Sequence, residues 1–113
     1  MTGQTTENTT RIRELNDALR RSLQGGRIMM TCGVEALGPC MVAEVLSCLR
    51  SYNHFDEEND PYGEHDFGAF DHNGQKFFWK IDYYDPTLRF LSEDPSDPSK
   101  TIRVLTLMLA EEY

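Results

Sequence analysis

The sequence predicts an α+β domain: a small antiparallel sheet with a central aromatic β-hairpin, packed against about three helices. Three observations lead there. Asn73-Gly74 sits between two strand-like runs within EHDFGAFDHNGQKFFWKIDYY, residues 64–84, and Asn-Gly is the preferred pair for a tight turn whose central residues both need positive φ. Apolar residues recur at helical spacing in two stretches before this segment and one after it. The chain has 113 residues, 39% of them hydrophobic and 27% charged, which suits one domain with one modest core.

The elements follow in order. Residues 1–8 are polar without apolar periodicity and read as a disordered tail, leaving 9–113 as the single α+β domain. From Thr10 a helix is expected, because Ile12, Leu15, Leu19 and Leu23 form a stripe, with Arg11, Arg13, Arg20 and Arg21 largely outside it. Gly25-Gly26 ends it. Residues 27–32 form a short strand and 33–38 a connector. Pro39 suits the first position of a second helix. That helix runs to about Ser51, burying Met41, Val42, Val45, Leu46 and Leu49 and turning Glu44 and Arg50 to water.

Residues 54–63, HFDEENDPYG, are an acidic loop rich in turn signals. The hairpin follows, and its turn fixes the register: Phe70 opposes Phe77, Gly68 opposes Trp79, Phe67 opposes Lys80, and by extension His65 opposes Asp82. Side chains alternate along a strand. Phe70, Phe77, Trp79, Ile81 and Tyr83 therefore share a core face, with Gly68 leaving room beside the indole. The other face carries His65, Phe67, Ala69, Phe78, Lys80, Asp82 and Tyr84. Asp85-Pro86 closes the second strand, and residues 88–91 read as a further short strand. After a polar loop, residues 100–113 are expected to be a helix with Ile102, Leu105, Met108 and Leu109 as its stripe and Ser99 as its cap.

Charge narrows the function classes. The net charge is −8. Residues 53–113 hold five basic against fourteen acidic residues, a balance of −9. Such a surface repels phosphate backbones, so direct nucleic-acid binding is not expected, and a basic protein partner fits better. No apolar run approaches the roughly 20 residues of a membrane helix, and the polar N-terminus lacks the pattern of a signal peptide. A cytoplasmic location is the expectation. Cys32, Cys40 and Cys48 are too few and too odd in number for a disulfide framework. Cys40, in the first turn of the second helix, reads as a small buried hydrophobe rather than a nucleophile.

The densest polar cluster is Asp56, Glu57, Glu58, Asp60, Glu64, His65 and Asp66. Carboxylates and imidazole ligate metals, and His65 with Asp82 would make an acid/base pair. Against this, the loop lacks a calcium-binding pattern and the histidines lack ligand spacing, so no metal and no cofactor is assigned. An exposed acidic loop is ordinarily only solvated. The aromatic hairpin is better explained by core packing than by base stacking.

At NDPYGEHDFGAF, FFWKIDYYD and RVLTLMLAEEY the chain resembles a family of small bacterial proteins, domain of unknown function 3768, with NDALRR, GRIMMTCGVEALGP and DPSDPS extending the likeness from about Asn16 to Tyr113. The resemblance implies a single small stand-alone domain common in alphaproteobacteria, often on plasmids and other mobile elements. It carries no activity, cofactor or catalytic residue.

Two functions compete. The first is a non-enzymatic acidic interaction protein, an accessory factor of a mobile element. A sharper version is an anti-restriction or anti-CRISPR inhibitor presenting carboxylates like phosphates. Its surface would be Asp56, Glu57, Glu58, Asp60, Glu64, His65, Asp66, Lys80, Asp82 and Tyr84. The second is a small hydrolase or metal-dependent enzyme using His65, Asp82, Glu64 and Asp66. A pocket converging on His65 favours the second, and a flat face with these groups in water favours the first. The sequence leaves the oligomeric state open.

Overall fold

Asn73 and Gly74 adopt the backbone their identities favour, with φ of 52° and 78°. They join two strands of a sheet in the register the turn dictates, His72 opposite Gln75 through to Phe67 opposite Lys80. Gly74→Val is expected to cost about 1–3 kcal/mol, because a β-branched residue tolerates positive φ poorly. Denaturant unfolding measures this, and strain alone is read, since nothing lies within 4 Å of an added Cβ.

The structure, a computed structural model, describes residues 2–113, with side chains described from residue 7 onward. Its elements are α1 (Thr2–Ser22), β1 (Arg27–Met30), α2 (Cys32–Glu35), α3 (Pro39–Arg50), β2 (Phe67–His72), β3 (Gln75–Tyr84) and β4 (Ile102–Leu109), with short 3-10 turns at Pro98–Lys100 and Ala110–Glu112. The helix begins at Thr2 rather than at the expected Thr10. Met1 and the side chains of residues 2–6 lie outside the described residues, while the backbone of residues 2–8, part of the expected tail, is helical.

The strand order is β1-β4-β3-β2. The hairpin and the β3–β4 pair are antiparallel, but β1 runs parallel to β4. The sheet is therefore mixed, not purely antiparallel. A parallel pair needs a long crossover, and here everything between β1 and β4 supplies it. Residues 102–109 are this central strand, not a helix. The run IRVLTLML satisfies a helical stripe, but it also alternates. Arg103, Leu105 and Leu107 are buried between the half-buried Ile102, Val104 and Thr106. The β-branched residues and the partners on both edges decide for the strand. The third helix is instead α2, which starts at the last residue of the expected strand and runs into the expected connector. Residues 88–91 contribute one isolated bridge, Leu91 to Tyr84.

Helices cover one face of the sheet. The core joins Leu19 of α1, Val34 of α2, and Val45 and Leu49 of α3 to Phe77, Trp79, Ile81, Leu105 and Leu107 of the sheet. Burying each such large apolar side chain contributes about 1.5–3 kcal/mol. Tyr52 closes the core edge-on to Trp79, ring centroids 5.6 Å apart. By the ladder pairings the second face carries Arg27, Met29, Phe67, Ala69, Phe78, Lys80, Asp82, Tyr84, Ile102, Val104, Thr106 and Met108, the last of these buried at 4% exposure. Met108 apart, these side chains lie outside the buried core. Among the described residues, no helix is long and apolar enough to cross a membrane.

Candidate functional site

His65 leaves the sheet before β2 begins. Its φ of 56° turns the chain, and the expected pairing with Asp82 does not form. Asp82 instead lies opposite Val104 and pairs with Lys80 at 3.1 Å. The His65 ring swings under α1, with Nδ1 2.9 Å from Asp17 Oδ1 and Nε2 3.5 Å from Asp60 Oδ2. It stacks flat on Phe55 at 3.7 Å. Asp17 also accepts from the Arg20 guanidinium at 2.8 Å. Burial pushes the Asp17 carboxyl up, but hydrogen bonds from Arg20 and His65 outweigh it and hold the group below the usual carboxylate range. A general base needs a nitrogen free to face substrate. Both His65 nitrogens face carboxylates, so this cluster clamps α1 to the acidic loop.

A second polar chain lies beside it. Fully buried Asn16 donates to the Glu64 carbonyl at 3.0 Å and to the Tyr83 hydroxyl at 2.8 Å, and accepts from Arg103 Nε at 2.7 Å. Tyr83 donates to Glu64 Oε1 at 2.8 Å, and Arg103 also donates to the Pro95 carbonyl. Desolvation raises the Tyr83 hydroxyl far above its usual range, with the neighbouring Glu64 adding to it. Ile12, Asn16, Leu19, Arg20 and Leu23 thus form one helix face, and the polar members Asn16 and Arg20 are as buried as Leu19. The sequence carried a signal for this: positions 12, 16, 19, 20 and 23 fit a helical stripe. Arg20, expected outside it, is buried under cation–π contact with Phe55 and Trp79, at 5.3 and 5.6 Å.

The predicted surface therefore divides. Asp56, Glu57 and Glu58 are exposed, with Asp56 Oδ1 accepting from the backbone of Glu58 and Asn59. Asp60, Glu64 and His65 belong to the interior clamps. Lys80, Asp82 and Tyr84 lie on the second face of the sheet. Asp66 sits between, and burial raises its carboxyl, reinforced by the negative charges of Glu64, Asp60 and Asp82. Its charge therefore opposes folding near neutral pH. Asp66→Asn is expected to raise Tm at pH 7 and to leave it unchanged near pH 3, below the unperturbed 3.8 where the native carboxyl is already neutral in both states. Thermal melts of both chains at the two pH values check this.

Among the described residues, no group of three or more His, Cys, Asp or Glu is placed to hold a metal. An open depression of about 430 Å³ is lined by Asp85, Pro86, Leu91, Glu93, Ser99 and Lys100, none of them a predicted site residue. Cys32, Cys40 and Cys48 are free thiols, and Cys40 is exposed rather than buried. His54 lies at the surface, whereas His72 stands between Cys48 and Glu44.

A family model described as Protein of unknown function (DUF3768) matches residues 30–112. The chain belongs to this family. No curated protein and no solved structure matches it. The matched residues of this DUF3768 chain take in α2, α3, the hairpin and β4, while α1 with Asn16, Asp17 and Arg20 lies outside them.

What the DUF3768 fold leaves open is the second face of the sheet. Phe67, Phe78, Tyr84, Ile102 and Val104 stand on it half-buried, and Met29 is 53% exposed. Tyr113 folds over one end, its ring 5.1 Å from Phe78 and 5.8 Å from Phe67. The Lys80–Asp82 pair lies in the middle. Strands about 4.8 Å apart, rising about 3.3 Å per residue, make this face several hundred Å². That is the size of the largest apolar patch on an ordinary monomer. Sequence reasoning found the half of this face carried by the hairpin and missed the half carried by β4, because it read β4 as a helix.

Proposed function

We propose that the protein is a non-enzymatic interaction module, an accessory factor that binds a protein partner through the uncovered face of its sheet. One observation carries the reading: α1, α2 and α3 pack on one face, and the other holds apolar side chains around the Lys80–Asp82 pair, with Arg27 at its edge. An antiparallel ladder with one face in water ordinarily alternates apolar with polar residues. Here β4 places Ile102 and Val104 outward, opposite Tyr84 and Asp82. The partner presents an apolar patch with a basic rim, because fourteen of the nineteen acidic residues lie in the half of the chain that forms most of this face and its flanking loops. The anti-restriction version, in which carboxylates imitate phosphates, has less support. Of its seven-residue cluster only Asp56, Glu57 and Glu58 are exposed.

The test uses the tagged chain to recover a partner from its native host, with two variants. Val104→Glu puts a charge on the face, and reversing Asp56, Glu57 and Glu58 to Lys changes the loop. The reading expects Val104→Glu to lose the partner while circular dichroism shows the chain still folded, with Tm lowered only modestly by the Glu opposite Asp82, and the loop variant to weaken capture only modestly. Capture should also fall with salt, as exposed charges are screened beyond roughly 8–10 Å. Loss that follows the loop variant alone favours phosphate imitation. A concentration-dependent dimer that Val104→Glu abolishes replaces the partner with a second copy of this chain.

A further inference from the structure

Glu44 and Cys48 lie four residues apart on α3, and so on one face of that helix. His72, the last residue of β2, points onto them. It shares the helix-covered side of the strand with Phe70, two residues before it. Its Nε2 lies 2.7 Å from Glu44 Oε1, and its Nδ1 lies 3.7 Å from Cys48 Sγ. A carboxylate only accepts, so Nε2 carries the ring proton and donates to Glu44. In the neutral ring Nδ1 then presents its lone pair to the thiol. A nucleophile, a base in reach of it and a third group orienting the base is the arrangement that activates weak nucleophiles. The clamp at His65 has no nucleophile, and among the described residues neither Cys32 nor Cys40 has an imidazole partner.

The surroundings narrow the electrophile. Acyl transfer needs backbone or side-chain donors where an oxyanion develops. Cys48 is in the last third of α3, where its own N–H is held by the helix ladder. What remains is a half-buried thiol with a proton acceptor, which suits an electrophile that needs no oxyanion donors. We propose that Cys48, His72 and Glu44 form a peroxide-reactive thiol site. The Cys48 proton passes to His72 Nδ1, and the thiolate attacks one oxygen of a hydroperoxide. The O–O bond breaks, and the departing oxygen takes the proton back from His72. Sulfur loses two electrons and becomes a sulfenic acid, while hydrogen peroxide is reduced by two electrons, one oxygen leaving as water. Glu44 is a positioning residue, because it touches only the ring.

The experiment is built on an ordering that exposure alone would reverse. Cys32 and Cys40 are exposed and Cys48 is half-buried. The folded chain is given a brief, limiting dose of hydrogen peroxide, and sulfenic acid is trapped with dimedone and assigned by peptide mass spectrometry. Cys48 is expected to be trapped about tenfold or more faster than either other cysteine, a modest share of what a positioned base supplies. His72→Gln should remove that lead and Glu44→Gln should reduce it, with circular dichroism confirming the fold. In urea the three thiols should react alike. Trapping in order of exposure, a lead that survives His72→Gln, or the same preference in urea overturns the proposal. If His72→Gln fails to fold, the ordering within the parent chain and the Glu44→Gln result decide it.

Discussion

Gly68→Val is expected to cost about 3 kcal/mol or more and to remove most folded protein, at the upper end of what overpacking does. A Cβ at Gly68 would stand 2.5 Å from Trp79 Nε1 and 2.7 Å from two ring carbons of Tyr52. Neither ring can withdraw. Trp79 is fully buried, and Tyr52 is held edge-on against both Trp79 and Phe55 with its hydroxyl donating to the His54 carbonyl at 2.8 Å. Gly68→Ala should fall between parent and Val. Denaturant unfolding and the near-ultraviolet signal of the single Trp measure the effect. A parent-like midpoint for Gly68→Val would show that the strand can move away from the indole.

Asn16→Ala is the second large effect, at about 2–4 kcal/mol, the scale for stranding a buried polar partner. Among the described residues Asn16 is the only side-chain acceptor for Arg103 Nε, and Arg103 is 3% exposed. Burial lowers the Arg103 guanidinium from its usual value, helped back up by Tyr83 and Glu64, so the cation is already held at some cost. The substitution also leaves the Tyr83 hydroxyl without its donor. Arg103→Met introduced alongside Asn16→Ala should recover part of the loss, because an apolar side chain there needs no acceptor. A double-mutant cycle reads the coupling. Additive losses would show that the two residues do not depend on each other.

The hairpin was legible in the sequence because Asn73-Gly74 carries its own instruction. Two residues set the turn, the turn sets the register, and the register places Gly68 beside Trp79. The α3 stripe was legible for the same local reason, its spacing being unbroken from Met41 to Leu49. The segment at 102–109 was not, because its apolar residues satisfy two periods at once and only its neighbours β1 and β3 decide between them. The candidate sites were least legible of all. His65 meets a carboxylate 48 positions away in sequence, and His72 meets a thiol 24 positions away. Neither distance leaves a trace in local spacing. Arg20 illustrates the limit: charge assigned it to water, while its helical position assigned it to the core.

The second face of the sheet is the central claim, and site-specific photocrosslinking in the native host tests it most directly. A benzophenone amino acid is placed at Val104, on that face, and in a control chain at Glu14, exposed on α1. The account predicts an adduct with one other protein from position 104 and none from position 14. Adducts from neither position, or equal adducts from both, would contradict it.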